Sequence, residues 1–538
     1  MGHWTRHRAA CKKLTPFVGG WWTTSGLSAT WWHPLWRRPI RWGLRQRQGV
    51  RRITSFLGWP LKDSPAGGTY GRRQSTASLH TGGGSDAVDD LGDPSIHAGL
   101  ILGVADGPDG ELVATRQILA IEDHDTGLGA GLVHQLAITD TEAEKVLAAG
   151  APGEVIDIGS ARVVLRMASP STVQVDLTMS PITGEATTHL WPTSDLPDRL
   201  LGVLTRARLD QNTSRPRLHG GALVNADGHA VLLLGPSNAG KSTLAAHLAA
   251  AGLQVLNDEQ VTLYAGAGLA AGFTRPIALE RPGVDHLPAG VETAMAADQR
   301  AMLLPTAALG SVHRLTGRPA LVALPTRNAG EDGVSWEQVN PQEALEELCA
   351  NNLDLVTRPS EGLKAFAWLV TSAPMVRLRY RDAADAVSPL LHLLSEPPTI
   401  PAISWSVDQE TKQSEGTGPA AGSVGAGQGS EPELGIRRRE GLVTVHMGEE
   451  AVVFDPSSRH VARLNAAATM VWDSLPLPLQ ADGFVATAPE ELEAFLDELF
   501  ELGFVEADDR LDEAGPGTGR EASAVTGPPV GGQPSGRP

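Results

Sequence analysis

The 538-residue chain carries 44 Lys/Arg against 62 Asp/Glu, a formal charge of −18 and a pI near 5.3. That length predicts several domains, and that acidity argues against a nucleic-acid binder. Its two cysteines, Cys11 and Cys349, exclude a disulfide framework and a cysteine-rich zinc site and fit a reducing, cytoplasmic compartment. No apolar run reaches the roughly 18 residues of a membrane span.

The charge is uneven. Met1 to His80 holds 14 Lys/Arg, one acid (Asp63) and eight of the thirteen tryptophans, which leaves 30 Lys/Arg against 61 acids elsewhere. An aromatic, basic patch for membrane or nucleic acid is one reading, and an Arg-rich transit peptide is another. The lack of a sustained helical or strand period favours a disordered extension over residues 1–90, consistent with a start codon placed too early.

Residues 95–210 read as a β-rich lobe. Short apolar runs such as LILGVA, VIDIGSARVVLRMA and TVQVDLTM alternate with Gly, Asp and Pro turns, and PDRLLGVLTRARL predicts a closing helix. A strand pair, RLHGGALVN and HAVLLLG, follows around an Ala226-Asp227-Gly228 turn.

The next stretch carries the strongest motif. Gly235, Pro236, Ser237, Asn238, Ala239, Gly240, Lys241 and Ser242 fit G-x-x-x-x-G-K-[ST] at the end of an apolar strand. Glycines let backbone N–H groups turn towards phosphate oxygens, Lys241 supplies a point charge, and Ser242 offers a hydroxyl to Mg²⁺. Thr243 opens an Ala- and Leu-rich helix whose positive end faces the same phosphates. The second strand ends at once on Asp258 and Glu259. ATP and Mg²⁺ are therefore the expected cofactors of an α/β P-loop core over residues 211–397.

The run LHGGALVNADGHAVLLLGPSNAGKSTLAAHLAAAGLQVLNDEQVTLY resembles the HPr kinase/phosphorylase family. A His-containing strand, a hairpin, a P-loop, one helix and an acid pair on the next strand occur in that order. The resemblance implies phosphoryl transfer to a hydroxyl. Asp258 would be base or metal ligand, Glu259 would support the other role, and His219 would orient the acceptor or bind phosphate. The better-known members carry two aspartates in the acid pair, where this chain has Asp258 and Glu259. Arg275 and Arg327 are candidates to steady the transferred phosphate.

Residues 398–433 are Gly/Ser-rich and predict a flexible linker. Residues 434–509 predict three strands, LVTVH, AVVFD and RHVARL, and two amphipathic helices, with Asn465 as N-cap of the first. Residues 510–538 predict a disordered tail. The order Leu464-Asn465, Ala468, Trp472 and Leu499 to Gly503 is similar to the PqqD peptide chaperones of pyrroloquinoline-quinone biosynthesis. That likeness implies a small winged-helix-like α+β domain that takes the leader of a ribosomally made precursor as an added strand. Here the peptide would run beside Arg459, His460, Val461 and Arg463, over a groove towards Phe495 and Leu499.

Together the two modules suggest a kinase that phosphorylates Ser or Thr of a peptide held by its own C-terminal module, the linker raising effective concentration. Two alternatives stay open. One is a non-catalytic, nucleotide-gated chaperone that presents the precursor to separate maturation enzymes. The other is a small-molecule kinase with a vestigial peptide module. Sequence leaves the oligomeric state open.

Overall fold

The computed structural model describes residues 96–508, apart from 151–152, 180–185, 211–214, 289, 292–300, 329, 331–332, 351, 353, 410–434 and 476–488. The expected extension over 1–90, most of the expected linker, and the tail over 510–538 lie outside the described residues.

The N-terminal lobe contains β1 (Ile96–Asp106), β2 (Leu112–His124), α1 (Gly129–Leu136), α2 (Asp140–Ala148), β3 (Val155–Ser169), β4 (Thr172–Met179), β5 (Ala186–Pro192) and α3 (Leu196–Asp210). Its five-stranded sheet runs β1-β2-β3-β4-β5. β2 and β3 are parallel, so the chain must cross over between them, and α1 and α2 make that crossing. The β-rich reading did not anticipate these two helices. α2 starts on a capping box, with the Thr139 and Glu142 side chains each bonding the other's backbone N–H. Leu119, Ile121, Val163 and Val175 face Leu132, Leu136, Leu200 and Leu204 in one buried cluster.

The central unit contains β6 (Arg217–Val224), β7 (His229–Leu234), α4 (Lys241–Ala250), β8 (Gln254–Asn257), β9 (Gln260–Tyr264), β10 (Leu269–Ala271), β11 (Ile277–Glu280), α5 (Arg281–Val284), β12 (Ala301–Leu304), β13 (Thr316–Arg327), β14 (Val334–Val339), α6 (Pro341–Ala350), α7 (Pro359–Ser372), β15 (Met375–Tyr380) and α8 (Ala383–Ser395). Its main sheet runs β10-β9-β6-β7-β13-β15-β14, with β8 paired to β6. β7, β13 and β15 are parallel. Their carboxyl ends, where ligands of such sheets gather, carry Gly235, Arg327 and Tyr380. One face of the sheet packs on α4 and α8 through Leu233, Leu244, Leu248 and Leu390. The other packs on α6 and α7 through Leu232, Leu234, Leu345 and Phe366.

The C-terminal unit contains β16 (Trp405–Gln409), β17 (Gly435–Arg438), β18 (Val443–Met447), β19 (Glu450–Phe454), β20 (Val461–Leu464), α9 (Ala466–Asp473), α10 (Pro489–Leu502) and β21 (Val505–Asp508). The three expected strands, β18, β19 and β20, join β16 in a four-stranded sheet ordered β16-β18-β19-β20, and β17 pairs with β21. Asn465 caps α9 as anticipated, its side chain accepting from Ala468 N. One sheet face, through Ala451, Val453, Ala462 and Leu464, buries Trp472, Phe495 and Leu499.

The tethering expectation needs correction in two respects. β16 lies inside the segment expected to be linker and pairs with β18. The other sheet face, through Val443, Val445, Val452, Phe454 and Val461, joins the cluster that contains Leu345, Leu348, Phe366 and Val370. Gln342 Nε2 also donates to Met447 O at 3.4 Å. The C-terminal sheet is docked on α6 and α7. Strand alternation exposes apolar side chains on both sheet faces, and α9 and α10 cover only one of them.

Candidate functional site

The β7–α4 turn adopts the conformation that its composition suggested. Gly235, Asn238 and Gly240 have positive φ values of 130°, 66° and 93°. Gly240 is the N-cap of α4, and a Cβ there would lie 2.5 Å from the Tyr380 hydroxyl. That close approach and the left-handed backbone both require glycine. Pro236, Ser237 and Asn238 are exposed, Ala239 is buried, and Ser242 and Thr243 are half-buried at the helix entrance.

Lys241 is only 7% exposed. Its Nζ donates to the carbonyls of Gly235 at 2.8 Å and Pro236 at 3.0 Å. Burial lowers its pKa to about 8, against the opposing pull of Glu259 and Asp258. The acid pair is thus within electrostatic reach of the lysine.

Asn257 fixes that pair. Its Oδ1 accepts from Glu259 N and Gln260 N, both at 2.8 Å, and its Nδ2 donates to Phe273 O at 3.0 Å. The two acids that follow differ in environment. Asp258 is fully enclosed; its Oδ2 accepts from Ala278 N at 2.9 Å, and its Oδ1 lies 3.2 Å from Arg275 Nε. Burial raises its pKa, Arg275 opposes that rise, and Glu259 adds to it. Glu259 is half-buried, with Oε1 3.6 Å from His219 Nδ1 and Oε2 3.8 Å from Arg275 Nη1. Burial, and then the charge of Lys241, lowers the His219 pKa to about 4, so its imidazole is neutral at pH 7.

P-loop, acid pair and His219 therefore come together as expected. Arg275 does not face outward as a phosphate clamp: its guanidinium is buried against both acids and donates to Thr205 Oγ1 of α3 at 3.3 Å. Arg327 stands at the carboxyl end of β13, with Nη2 2.7 Å from His286 Nε2. Tyr380 was missed by sequence reasoning. Its hydroxyl lies 3.5 Å from the carbonyls of Ala239 and Gly240, and burial pushes its pKa up to about 12. Only its place at the end of a third parallel strand, 140 residues from the loop, could have signalled it.

The cradle fits a polyphosphate, with left-handed turn residues and a buried cation at a helix start. Ser242, half-buried at the helix entrance, is the hydroxyl that would hold a metal there. Among the described residues no three His, Cys, Asp or Glu side chains cluster as a metal site. Asp258 Oδ2 accepts a main-chain hydrogen bond, and its Oδ1 has only the ion pair with Arg275 in a closed setting; Glu259 is the more exposed, and so the more accessible, carboxylate.

The expected peptide surface is partly reassigned. Phe495 is 6% exposed and Leu499 is fully buried, so both build the interior of the C-terminal unit instead of lining a groove. Val461 is buried against the central unit. Arg459, with φ 63°, and His460 lie in the exposed turn before β20, and Arg463 is half-buried on it. Among the described residues β20 pairs with β19 alone.

No protein-family model matches the chain, and no curated protein matches it. Among solved structures the chain is similar to the Hpr(Ser) kinase/phosphatase from Coxiella burnetii. The match has 13% identity and a TM-score of 0.19, and it covers 34% of this chain and 98% of that one. That is a weak structural likeness to a kinase, alongside a mixed α/β fold.

Proposed function

We propose that the central unit is an ATP- and Mg²⁺-dependent phosphotransferase acting on a hydroxyl. The observation that carries this reading is the convergence of a left-handed, glycine-bearing cradle, a buried Lys241, an acid pair and a neutral His219 at one end of the sheet. Phosphoryl transfer needs charge neutralisation, in-line positioning and a proton acceptor more than covalent help from the protein. Lys241 exchanges its carbonyl partners for phosphate oxygens. Ser242 would hold the metal, which would supply neutralisation of phosphate charge. Glu259 takes the acceptor proton as the acceptor oxygen bonds phosphorus and the bond to ADP breaks, with His219 orienting the hydroxyl. Asp258 holds Arg275 and Ala278 in place and so fixes the geometry around Glu259.

The acceptor we assign is Ser or Thr of a precursor peptide held along β20. The edge position of β20 and the docking of its sheet on the central unit support that choice. The test uses the full chain, γ-labelled ATP, Mg²⁺ and peptides encoded beside the gene. Label on a Ser or Thr, absent with Lys241→Ala, is expected. ATP-dependent thermal stabilisation without any label would favour the nucleotide-gated presenter. Equal stabilisation in Lys241→Ala and the parent would overturn the nucleotide site itself.

A further inference from the structure

A cavity of about 90 Å³ lies between the N-terminal lobe and the central unit. Its wall carries the side chains of Arg208, Arg217, Thr115, Thr262 and Tyr264 and the bare backbone of Gly103. Arg208 reaches in from α3 and donates to Thr115 Oγ1 at 2.8 Å. A Cβ at Gly103 would collide with the Arg208 guanidinium, so glycine is what lets that group lie on β1. Burial lowers the Arg208 pKa to about 10, which leaves it a cation at neutral pH. Arg217 is held by Asp354 and Leu209 O, and neighbouring Arg215 pairs with Asp106 while its guanidinium lies 5.4 Å from the Tyr264 ring centre. Two guanidinium groups, Arg208 and Arg217, thus line the cavity, and a third, Arg215, lies over the Tyr264 ring beside it.

A second observation points the same way. Gln117 follows Thr115 on the same face of β2, and Gln260 precedes Thr262 on the same face of β9. They are 1% and 2% exposed, and no hydrogen bond reaches either amide group among the described residues. Buried amides of this kind are costly unless water or a ligand completes them. Thr115 and Thr262 in the cavity wall, and one unsatisfied amide two residues from each, make the cavity part of a polar seam. Its size allows a few waters of about 30 Å³ each, or one small ion, and falls well below the roughly 300 Å³ of a nucleotide-sized pocket.

We propose that this seam binds a small oxyanion, orthophosphate or a carboxylate, through Arg208 and the hydroxyls of Thr115, Thr262 and Tyr264, as a second anion site separate from the P-loop. A guanidinium in a low-dielectric wall attracts an anion far more strongly than one in water, and the hydroxyls can donate to its remaining oxygens. The proposal stands whether or not the central unit transfers phosphate.

The experiment measures thermal stabilisation of the full chain by inorganic phosphate and by acetate, with dialysis against labelled orthophosphate. Lys241→Ala should keep stabilisation by at least one anion, because the seam lies outside the P-loop. Phosphate alone acting identifies a tetrahedral oxyanion, and acetate alone a carboxylate. Arg208→Met should weaken the effective anion about 10-fold or more, the scale of a lost charge-assisted hydrogen bond. Should Arg208→Met fail to fold, Tyr264→Phe and Thr262→Val should each weaken binding several-fold. Loss of all anion stabilisation in Lys241→Ala, or undiminished binding in the seam variants, overturns the proposal.

Discussion

The carboxyl end of the central sheet and its docked face are built by opposite means. At the first, a continuous sequence from Gly235 to Gln260 makes the cradle, its helix and the acid pair, and the result is polar, with a left-handed backbone at Gly235, Asn238 and Gly240. At the second, residues from α6, α7, β18, β19 and β20 pack into one apolar cluster, although Leu218 and Val461 lie at opposite ends of it in sequence. The site end holds left-handed turns and buried charge. The docked face holds buried apolar surface. This contrast also separates what local sequence can reveal from what only long-range packing can.

Breaking the docked face should have the largest effect. Phe454 is 2% exposed within the cluster shared by α6, α7 and the C-terminal sheet. Phe454→Ala should cost about 3–5 kcal/mol, from lost burial and the remaining cavity. If the units are energetically one, calorimetry on the variant shows the central unit destabilised together with the C-terminal one. A variant whose central unit melts as in the parent would make the docking energetically empty.

Acid should act through buried histidines in and near the site end. His219 and His313 both have pKa values lowered to about 4 by burial. Each binds a proton more readily unfolded than folded, so its contribution is complete above about pH 6.5 and is lost as pH falls towards 4. For His313, 4% exposed, the loss is on the order of 3 kcal/mol. Urea midpoints should fall between pH 6.5 and 4, and His313→Gln should flatten that fall. A parent whose midpoints stay level over this window would show that neither histidine titrates with folding.

The shape of the P-loop was legible because it sits in the local backbone. Glycines, a lysine and a helix start suffice to define it, and His219 and the acid pair follow at short range. The roles inside the pair were not legible. Arg275 neutralises Asp258 from 17 positions away, across a turn whose shape depends on Asn257 and Phe273. α1 was hidden by its glycines, Gly129 and Gly131, which weaken helix propensity; α2 was overlooked despite the Thr139–Glu142 capping box in plain view. β16 was hidden too, because the polar run after Gln409 dominated the reading of Trp405 and Val407 before it. Phe495 and Leu499 showed the right helical period, but periodicity marks a buried face without saying what covers it.

The two acids offer a sharper contrast within the site itself. Glu259→Gln removes the more available carboxylate and should lower phosphoryl transfer about 10²-fold while ATP stabilisation stays, the usual scale for general-base catalysis. Thermal shift and labelled-ATP turnover, measured on the same preparation, separate binding from chemistry. Unchanged turnover in Glu259→Gln would return the proton to Asp258, and with it the need for Arg275 to move away.

The smallest expected effect tests the outer edge of the docked sheet. Asp455 N donates to His460 O at 2.9 Å, and Val453 pairs with Ala462 two residues along. By antiparallel alternation, Val461 and Arg463 then direct their main-chain groups away from β19, towards the outer edge. A peptide added there would bond those groups. Val461→Pro deletes one outward donor and leaves the β19 ladder intact, so peptide affinity should drop about 10-fold, the worth of one main-chain hydrogen bond. Because Val461 also packs against the central unit, the melting temperature must be read beside affinity. Arg463→Pro, at a half-buried position, repeats the test with less loss of packing. Parental affinity in both folded variants would move the peptide off this edge, leaving the docked sheet a role in stability alone.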